Sequence, residues 1–239
     1  MPQHLRTIAL AVLLGCGSTA PNITRNSDLD VLFIGNSLTA TNDIPGLVSS
    51  LGQISGGPHV RVSEVSFGNF SLEDHWNQGD ALEAIDRGAW DYVVMQQGPS
   101  TLPESRQNLI EWTGRFAERI RLAGARPAIY MVWPSNGDFD GVSRSYTDAA
   151  HAVNGMLIPA GEAFRSVSRD HPEITIFQSD NFHPTQIGSY LAALVIYGQL
   201  TDREVEGVTL RRPVTGLSQT EAGELEAAAD QANRDHGVH

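Results

Sequence analysis

The sequence predicts an α/β fold with a mainly parallel sheet and helices on both of its faces. Two observations carry that prediction. From Asp28 onward, short apolar runs alternate with longer segments of helical periodicity, the order that strands joined by crossover helices require. Most of the runs are continuously apolar rather than alternating, as expected of strands covered on both sides.

The predicted strands are Val31–Ile34, Val60–Val65, Tyr92–Gln96 and Ala128–Val132, with a short one at Met156–Ile158. A helix is expected to begin near Asp43, because Pro45 suits a first turn. Pro103–Ala123 is long and periodic: Leu109, Ile110, Phe116, Ile120 and Leu122 are available for a buried stripe, and Gly124 ends the run. Further helices are expected at Tyr146–Gly155, Gly161–Arg169, Pro184–Leu200 and Thr220–Arg234. No internal repeat or low-complexity segment interrupts the pattern, so residues 28–239 read as one domain.

A chain of 239 residues is ample for one buried core, and 41% hydrophobic with 18% charged residues is ordinary globular composition. The formal charge of −12, with no cluster of Lys and Arg, argues against a nucleic-acid partner. The N-terminus differs from the rest. After a positive Met1–Arg6, the run Ile8–Gly15 is too short to span a bilayer but suits the apolar region of an export signal. It ends in Leu13-Leu14-Gly15-Cys16, which resembles the lipobox of bacterial lipoproteins. That resemblance implies an export signal over residues 1–16, lipidation at Cys16 and a place in a bacterial cell envelope, with the lipid as the protein's only link to a membrane. The other readings are a plain secretory signal, giving a periplasmic or secreted protein, and a cytoplasmic protein with an incidental cysteine. Cys16 is the only cysteine, which excludes a disulfide within the chain. Residues 17–27 are polar and turn-forming and read as a tether.

Two segments stand out for chemistry. The first strand runs into Gly35-Asn36-Ser37-Leu38-Thr39, which puts Ser37 at the rim where open α/β sheets bind ligands. A helix N-cap would give the same local pattern. Near the other end, Ser179-Asp180-Asn181-Phe182-His183-Pro184 places an Asp three residues before a His. One tight turn lets that carboxylate reach the imidazole Nδ1–H and hold the ring as a general base. Pro184 would then begin a helix that supports His183. The competing reading makes Asp180 a cap and His183 a loop residue.

Together, the order Ser37…Asp180…His183 resembles the SGNH/GDSL hydrolases. Gly35-Asn36-Ser37-Leu38 is similar to that family's first block and Asp180-x-x-His183-Pro184 to its last, over roughly Asp30–Leu200. The resemblance implies a flavodoxin-like three-layer α/β/α sandwich and a Ser37–His183–Asp180 triad that needs neither metal nor cofactor. It also implies esters rather than amides as substrates. The Gly-x-Ser-x-Gly elbow of the α/β-hydrolases is absent.

An oxyanion hole is the remaining requirement. Candidate donors are the N–H of Ser37 and, where the family's second block supplies a glycine N–H, that of Gly68 in Phe67-Gly68-Asn69-Phe70. The third donor in the family is an Asn side chain. Here the chain departs and reads Met95-Gln96-Gln97-Gly98-Pro99-Ser100. Either a Gln amide or Ser100 takes that role; Gln97 is favoured because it abuts Gly98, with Gln96 next. Trp133-Pro134 is read either as a pocket wall or as structural packing. His75 and Trp76 are placed near the cleft, with a satisfied surface His expected. Asp138 and Asp140 are too few for Ca²⁺. Tyr190, Leu194 and Tyr197 are expected in the core, and Glu221, Glu224 and Glu226 on an exposed face. The expected reaction is acyl transfer from a small-molecule or glycan-linked ester through an acyl-enzyme on Ser37. Its rivals are an O-acyltransferase with the same triad and a catalytically silent carbohydrate-binding relative.

Overall fold

The computed structural model describes residues 28–209 and 216–237. The expected signal, Cys16 and the tether lie outside these residues. The elements run β1 (Leu29–Gly35), α1 (Ser37–Ala40), α2 (Ile44–Ser55), β2 (Val60–Ser66), α3 (Leu72–Gln78), α4 (Asp80–Arg87), β3 (Tyr92–Met95), α5 (Pro103–Leu122), β4 (Arg126–Tyr130), α6 (Phe139–Ala152), β5 (Met156–Ile158), α7 (Ala160–Asp170), α8 (Gln186–Thr201) and α9 (Gln219–His236).

The five strands form one parallel sheet in the order β2-β1-β3-β4-β5. From β1 the chain steps outward to β2, then crosses back over β1 to reach β3. Right-handed crossovers in opposite directions place their helices on opposite faces. Accordingly α2, α7 and α8 pack together on one side, with α9 against them, while α3, α4, α5 and α6 pack in series on the other. The predicted α/β sandwich is therefore the observed one. The reversal of strand order falls at β1, which opens a crevice beyond the carboxyl ends of β1 and β3.

Local chemistry explains most boundaries. Asp43 caps α2 by accepting from the Gly46 N–H at 3.0 Å, with Pro45 in the first turn. β2 is an edge strand with one face open, so its burial is broken where that of β1 is nearly complete. From Gly188 to Thr201 every residue of α8 is buried, as befits a helix that is apolar all round and covered on two sides.

Several expectations need correction. Residues 72–87, outside every helix expected from the sequence, form α3 and α4. They are short and divided at Gly79, whose φ of +97° breaks the periodic pattern; Ser71 and Asp74 nucleate α3 with a capping box. Helix α6 starts at Phe139 rather than Tyr146, because Asp138 is its N-cap. Residues 139–145, ahead of the expected helix, are thus helical, and Asp140 pairs with Arg165. Pro184 does not open α8: Thr185 caps that helix, and Pro184 forms a bridge with Phe177.

Glu226 is not on an exposed face. It is 3% exposed, and its two carboxylate oxygens accept the N–H groups of Thr209 and Gly207, each at 2.7 Å. One turn on, Asp230 accepts those of Val205 and Glu206 at 2.9 and 3.2 Å. Buried carboxylates thereby satisfy the backbone of the segment after α8, and burial pushes the Asp230 carboxyl up. Among the described residues, no helix is long and apolar enough to cross a membrane.

Candidate active site

β1 delivers the chain to the sheet rim at Gly35, where the backbone must turn within a crowded space. A Cβ on Gly35 would lie 2.2 Å from Thr39 Oγ1 and 2.7 Å from Gln96 Oε1, so any larger residue must displace these side chains. Asn36 caps α1, its side-chain oxygen accepting the Leu38 N–H at 3.0 Å. That leaves Ser37 as the first helical residue, whose own N–H has no acceptor one turn back.

His183 arrives from the other end of the chain. Around Asn181, which has a φ of +54°, the turn folds tightly enough for Asp180 to bind its own neighbourhood. Its Oδ1 accepts the Phe182 and His183 N–H groups at 3.0 and 2.9 Å. Its Oδ2 sits 2.6 Å from His183 Nδ1, and His183 Nε2 is 3.0 Å from Ser37 Oγ. The imidazole beside Asp180, together with these N–H groups, holds its carboxyl down at about 2. The carboxylate is thus charged throughout the neutral range. It fixes the imidazole with Nδ1 protonated and Nε2 facing the serine. Behind the turn, Trp133 is fully buried, stacks on Phe164, and donates its Nε1–H to the Phe182 carbonyl at 2.8 Å. Of the two readings of Trp133, the structure selects the structural one.

Ser37 opens into a cleft of about 600 Å³ whose walls include Asn69, Phe70, Gln97, Ser100, Glu104 and Phe182. Gly68 stands in an exposed turn closed by the Phe70 N–H on the Phe67 carbonyl. The left-handed position in that turn belongs to Asn69, with φ of +63°, and a Cβ on Gly68 would meet nothing within 4 Å. Glycine here is not demanded by the fold; what it leaves is open space in front of the backbone.

The two glutamines take different places. Gln96 is 1% exposed and does not serve the cleft. Its Nε2 donates to Asn36 Oδ1 and to the Gln97 carbonyl, while its Oε1 accepts the Asn36 N–H and the Thr39 hydroxyl. With both amide hydrogens bonded, it holds the Asn36–Thr39 turn that carries Ser37, a correction to its expected role as a donor to substrate. Gln97 does line the cleft. Its Oε1 accepts the Leu72 N–H at 3.0 Å, and its Nε2 donates to Ser100 Oγ at 3.0 Å and to Asn108 Oδ1 at 3.5 Å. The Ser100 hydroxyl in turn donates to the Gly98 carbonyl.

Two supporting side chains carry no local motif in the sequence. Tyr146, fully buried on α6, donates to the Gln97 carbonyl at 2.6 Å, and Ser145 donates to the Ser100 carbonyl at 2.7 Å. Helix α6 begins seven residues before the expected Tyr146, and its first two turns brace this loop. His75 is not the surface residue expected. It is fully buried, with Nε2 2.7 Å from the Gly35 carbonyl and its ring against Phe67 and Phe70. Trp76 packs on Trp112 and Phe116, away from the cleft. Among the described residues, no group of three or more His, Cys, Asp or Glu is arranged to hold a metal ion.

No family model matches the sequence, and no curated protein matches it. Solved structures do. A protein from Slackia heliotrinireducens, described as a candidate SGNH hydrolase, is 28% identical; the match covers 72% of this chain and 99% of that one, with a TM-score of 0.62. A DUF4886 family protein from Bacteroides uniformis is 20% identical over 88% of this chain and 96% of its own, with a TM-score of 0.73. An acetyl-xylooligosaccharide esterase from Geobacillus is 14% identical, covering 73% and 95% of the two chains, with a TM-score of 0.60. The fold of this chain is that of the SGNH hydrolases, and the resemblance carried by its first and last motifs is borne out at that level.

Proposed function

We propose that this chain is a serine hydrolase that cleaves carboxylic esters through an acyl-enzyme on Ser37. The observation that supports it best is His183, bonded at once to Asp180 and to Ser37 at the mouth of the cleft. As His183 Nε2 takes the Ser37 proton, the serine oxygen attacks the ester carbonyl. The resulting imidazolium faces the Asp180 carboxylate, which stabilises it. His183 then returns the proton to the departing alcohol, and in a second step activates water to release the acid.

The developing oxyanion is assigned to the N–H groups of Ser37 and Gly68 and to one hydrogen of Gln97. That hydrogen now points at Asn108 Oδ1 across 3.5 Å, a distance too long to compete with a full negative charge. A small acyl group on a hydroxylated alcohol, such as a glycan, is the substrate class that the walls favour. Asn69, Ser71, Glu104, Ser105 and Asn108 supply donors and acceptors, while Phe182 offers an apolar face. One structural neighbour is an esterase of acetylated xylooligosaccharides. Export and acylation at Cys16 remain proposals from the sequence, to be checked by fatty-acid labelling of the expressed protein and of Cys16→Ala.

The test is a screen of purified enzyme on p-nitrophenyl esters of increasing chain length and on acetylated sugars, alongside Ser37→Ala. The variant should fold and lose hydrolysis, and a fluorophosphonate should label the parent at Ser37. Full activity in Ser37→Ala would sink the mechanism. Transfer of the acyl group to an added sugar in preference to water would favour the acyltransferase reading.

A further inference from the structure

The triad joins two segments that are far apart in the chain, and a second connection between them lies beside it. Directly after α1, Asn42 and Asp43 both adopt left-handed backbone, with φ of +58° and +55°. Two successive non-glycine residues in that region are costly and persist only where the surroundings hold them. Asp43 has an evident reason, since it caps α2. Asn42 has another. Its Nδ2 donates to the Pro184 carbonyl at 3.1 Å and to Ser189 Oγ at 2.9 Å, reaching across 142 and 147 residues of sequence. Pro184 follows the base directly. Its carbonyl also accepts from Gln178 Nε2 at 2.9 Å, and the buried Ser189 hydroxyl lies 3.3 Å from the Thr41 carbonyl.

We propose that Asn42 is a positioning residue for catalysis, a clasp that sets the distance between Ser37 and His183. This rests on the esterase reading given above. Both hydrogens of the amide go to the base segment, and the left-handed backbone aims it there. Without them, the nucleophile turn and the base segment would be tied by the triad bond itself, by the longer Ser189–Thr41 hydrogen bond and by packing. The 3.0 Å contact between His183 Nε2 and Ser37 Oγ would then depend on a bond that must break and re-form in every turnover. Displacements of about 1 Å in such geometry cost up to about a hundredfold in rate.

The informative variant is Asn42→Gly, because glycine keeps the left-handed backbone and removes only the amide. Ser189→Ala, which deletes one acceptor of the Asn42 amide together with the hydroxyl's own bond to the Thr41 carbonyl, is the second. Each is measured for kcat and KM on a short p-nitrophenyl ester and for the rate of fluorophosphonate labelling, with the folded fraction fixed by circular dichroism. Asn42→Gly should lower kcat about tenfold to a hundredfold, leave KM unchanged and slow labelling by the same factor. Ser189→Ala should show the same pattern to a smaller degree. A folded Asn42→Gly protein with parental kcat and labelling, or with its whole loss in KM, overturns the proposal. If that variant does not fold, unchanged kcat in Ser189→Ala overturns it instead. Failure of the parent itself to be labelled at Ser37 is a different result, and rejects the esterase reading.

Discussion

Gln96 and Asn36 bond each other twice: the Asn36 N–H donates to Gln96 Oε1 at 2.9 Å, and Gln96 Nε2 donates back to Asn36 Oδ1 at 3.0 Å. The pair joins the ends of β3 and β1 beneath Ser37. Replacing Gln96 by Ala leaves buried partners on Asn36 and Thr39 unsatisfied, at about 1–3 kcal/mol for each group. The variant is therefore expected to lose both melting temperature and kcat. Gln97→Ala should instead leave the melting temperature closer to the parent's and lower kcat about a hundredfold, the usual effect of deleting one oxyanion donor. Thermal melts beside steady-state kinetics separate the two. Equal behaviour of both variants would reject the division of roles.

Asp180→Asn should keep the turn but present the wrong hydrogen-bonding partner to Nδ1, and kcat should fall by roughly 10³–10⁴-fold. The parent carboxyl titrates at about 2 against an ordinary 3.8. Its charge therefore stabilises the folded turn above 3.8, and that contribution fades as pH drops from there through about 2. Activity lost reversibly between pH 7 and 5 must then come from another group. Following the Asp180 carboxyl carbon by NMR across that range checks this: no titration step is expected there.

His75 carries a testable pH signature for stability. Burial pushes its imidazole below the usual 6.5, and its Nδ1 has no hydrogen-bond partner, so the folded protein keeps the ring neutral with Nε2–H on the Gly35 carbonyl. Below pH 6.5 the unfolded chain gains a proton that the folded one refuses, and stability declines as pH falls from 6.5 toward the lowered value. In His75→Gln an amide hydrogen replaces the Nε2–H without titrating. Urea unfolding at pH 7.5 and 5.5 should show a smaller difference for that variant than for the parent. An unchanged difference would exclude His75 as the source.

Gly35→Ala introduces a methyl against Thr39 and Gln96. The expected cost is about 1–3 kcal/mol, with turnover reduced because the displaced groups hold the Ser37 turn. Adding Thr39→Ala removes the nearest clash and should recover part of the stability. No recovery would show that Gln96 alone sets the limit.

The sheet and most helices were legible because continuous apolar runs and helical periods are local signals. Ser37, Asp180 and His183 were legible because each motif keeps its residues within one turn of one another. What stayed hidden depends on contacts across the fold. Gln96 and Gln97 are adjacent and chemically identical, and only the strand end decides that one faces Asn36 and the other the cleft. Glu226 looks like any helix glutamate until the segment Val205–Thr209 folds onto it. His75 could not be placed because its helix went unread, and Asn42 carries no local motif at all.

The buried Trp133, with its indole N–H on the Phe182 carbonyl, has an optical consequence. The ring is shielded from water and bonded to the Asp180–His183 turn, so its emission is expected to respond to movement of that turn. The chain has three other tryptophans, at 76, 90 and 112. Converting these to Phe would leave a single tryptophan directly behind the Asp180–His183 turn, so that on the proposed mechanism its emission would report any movement of that turn during turnover without an attached dye.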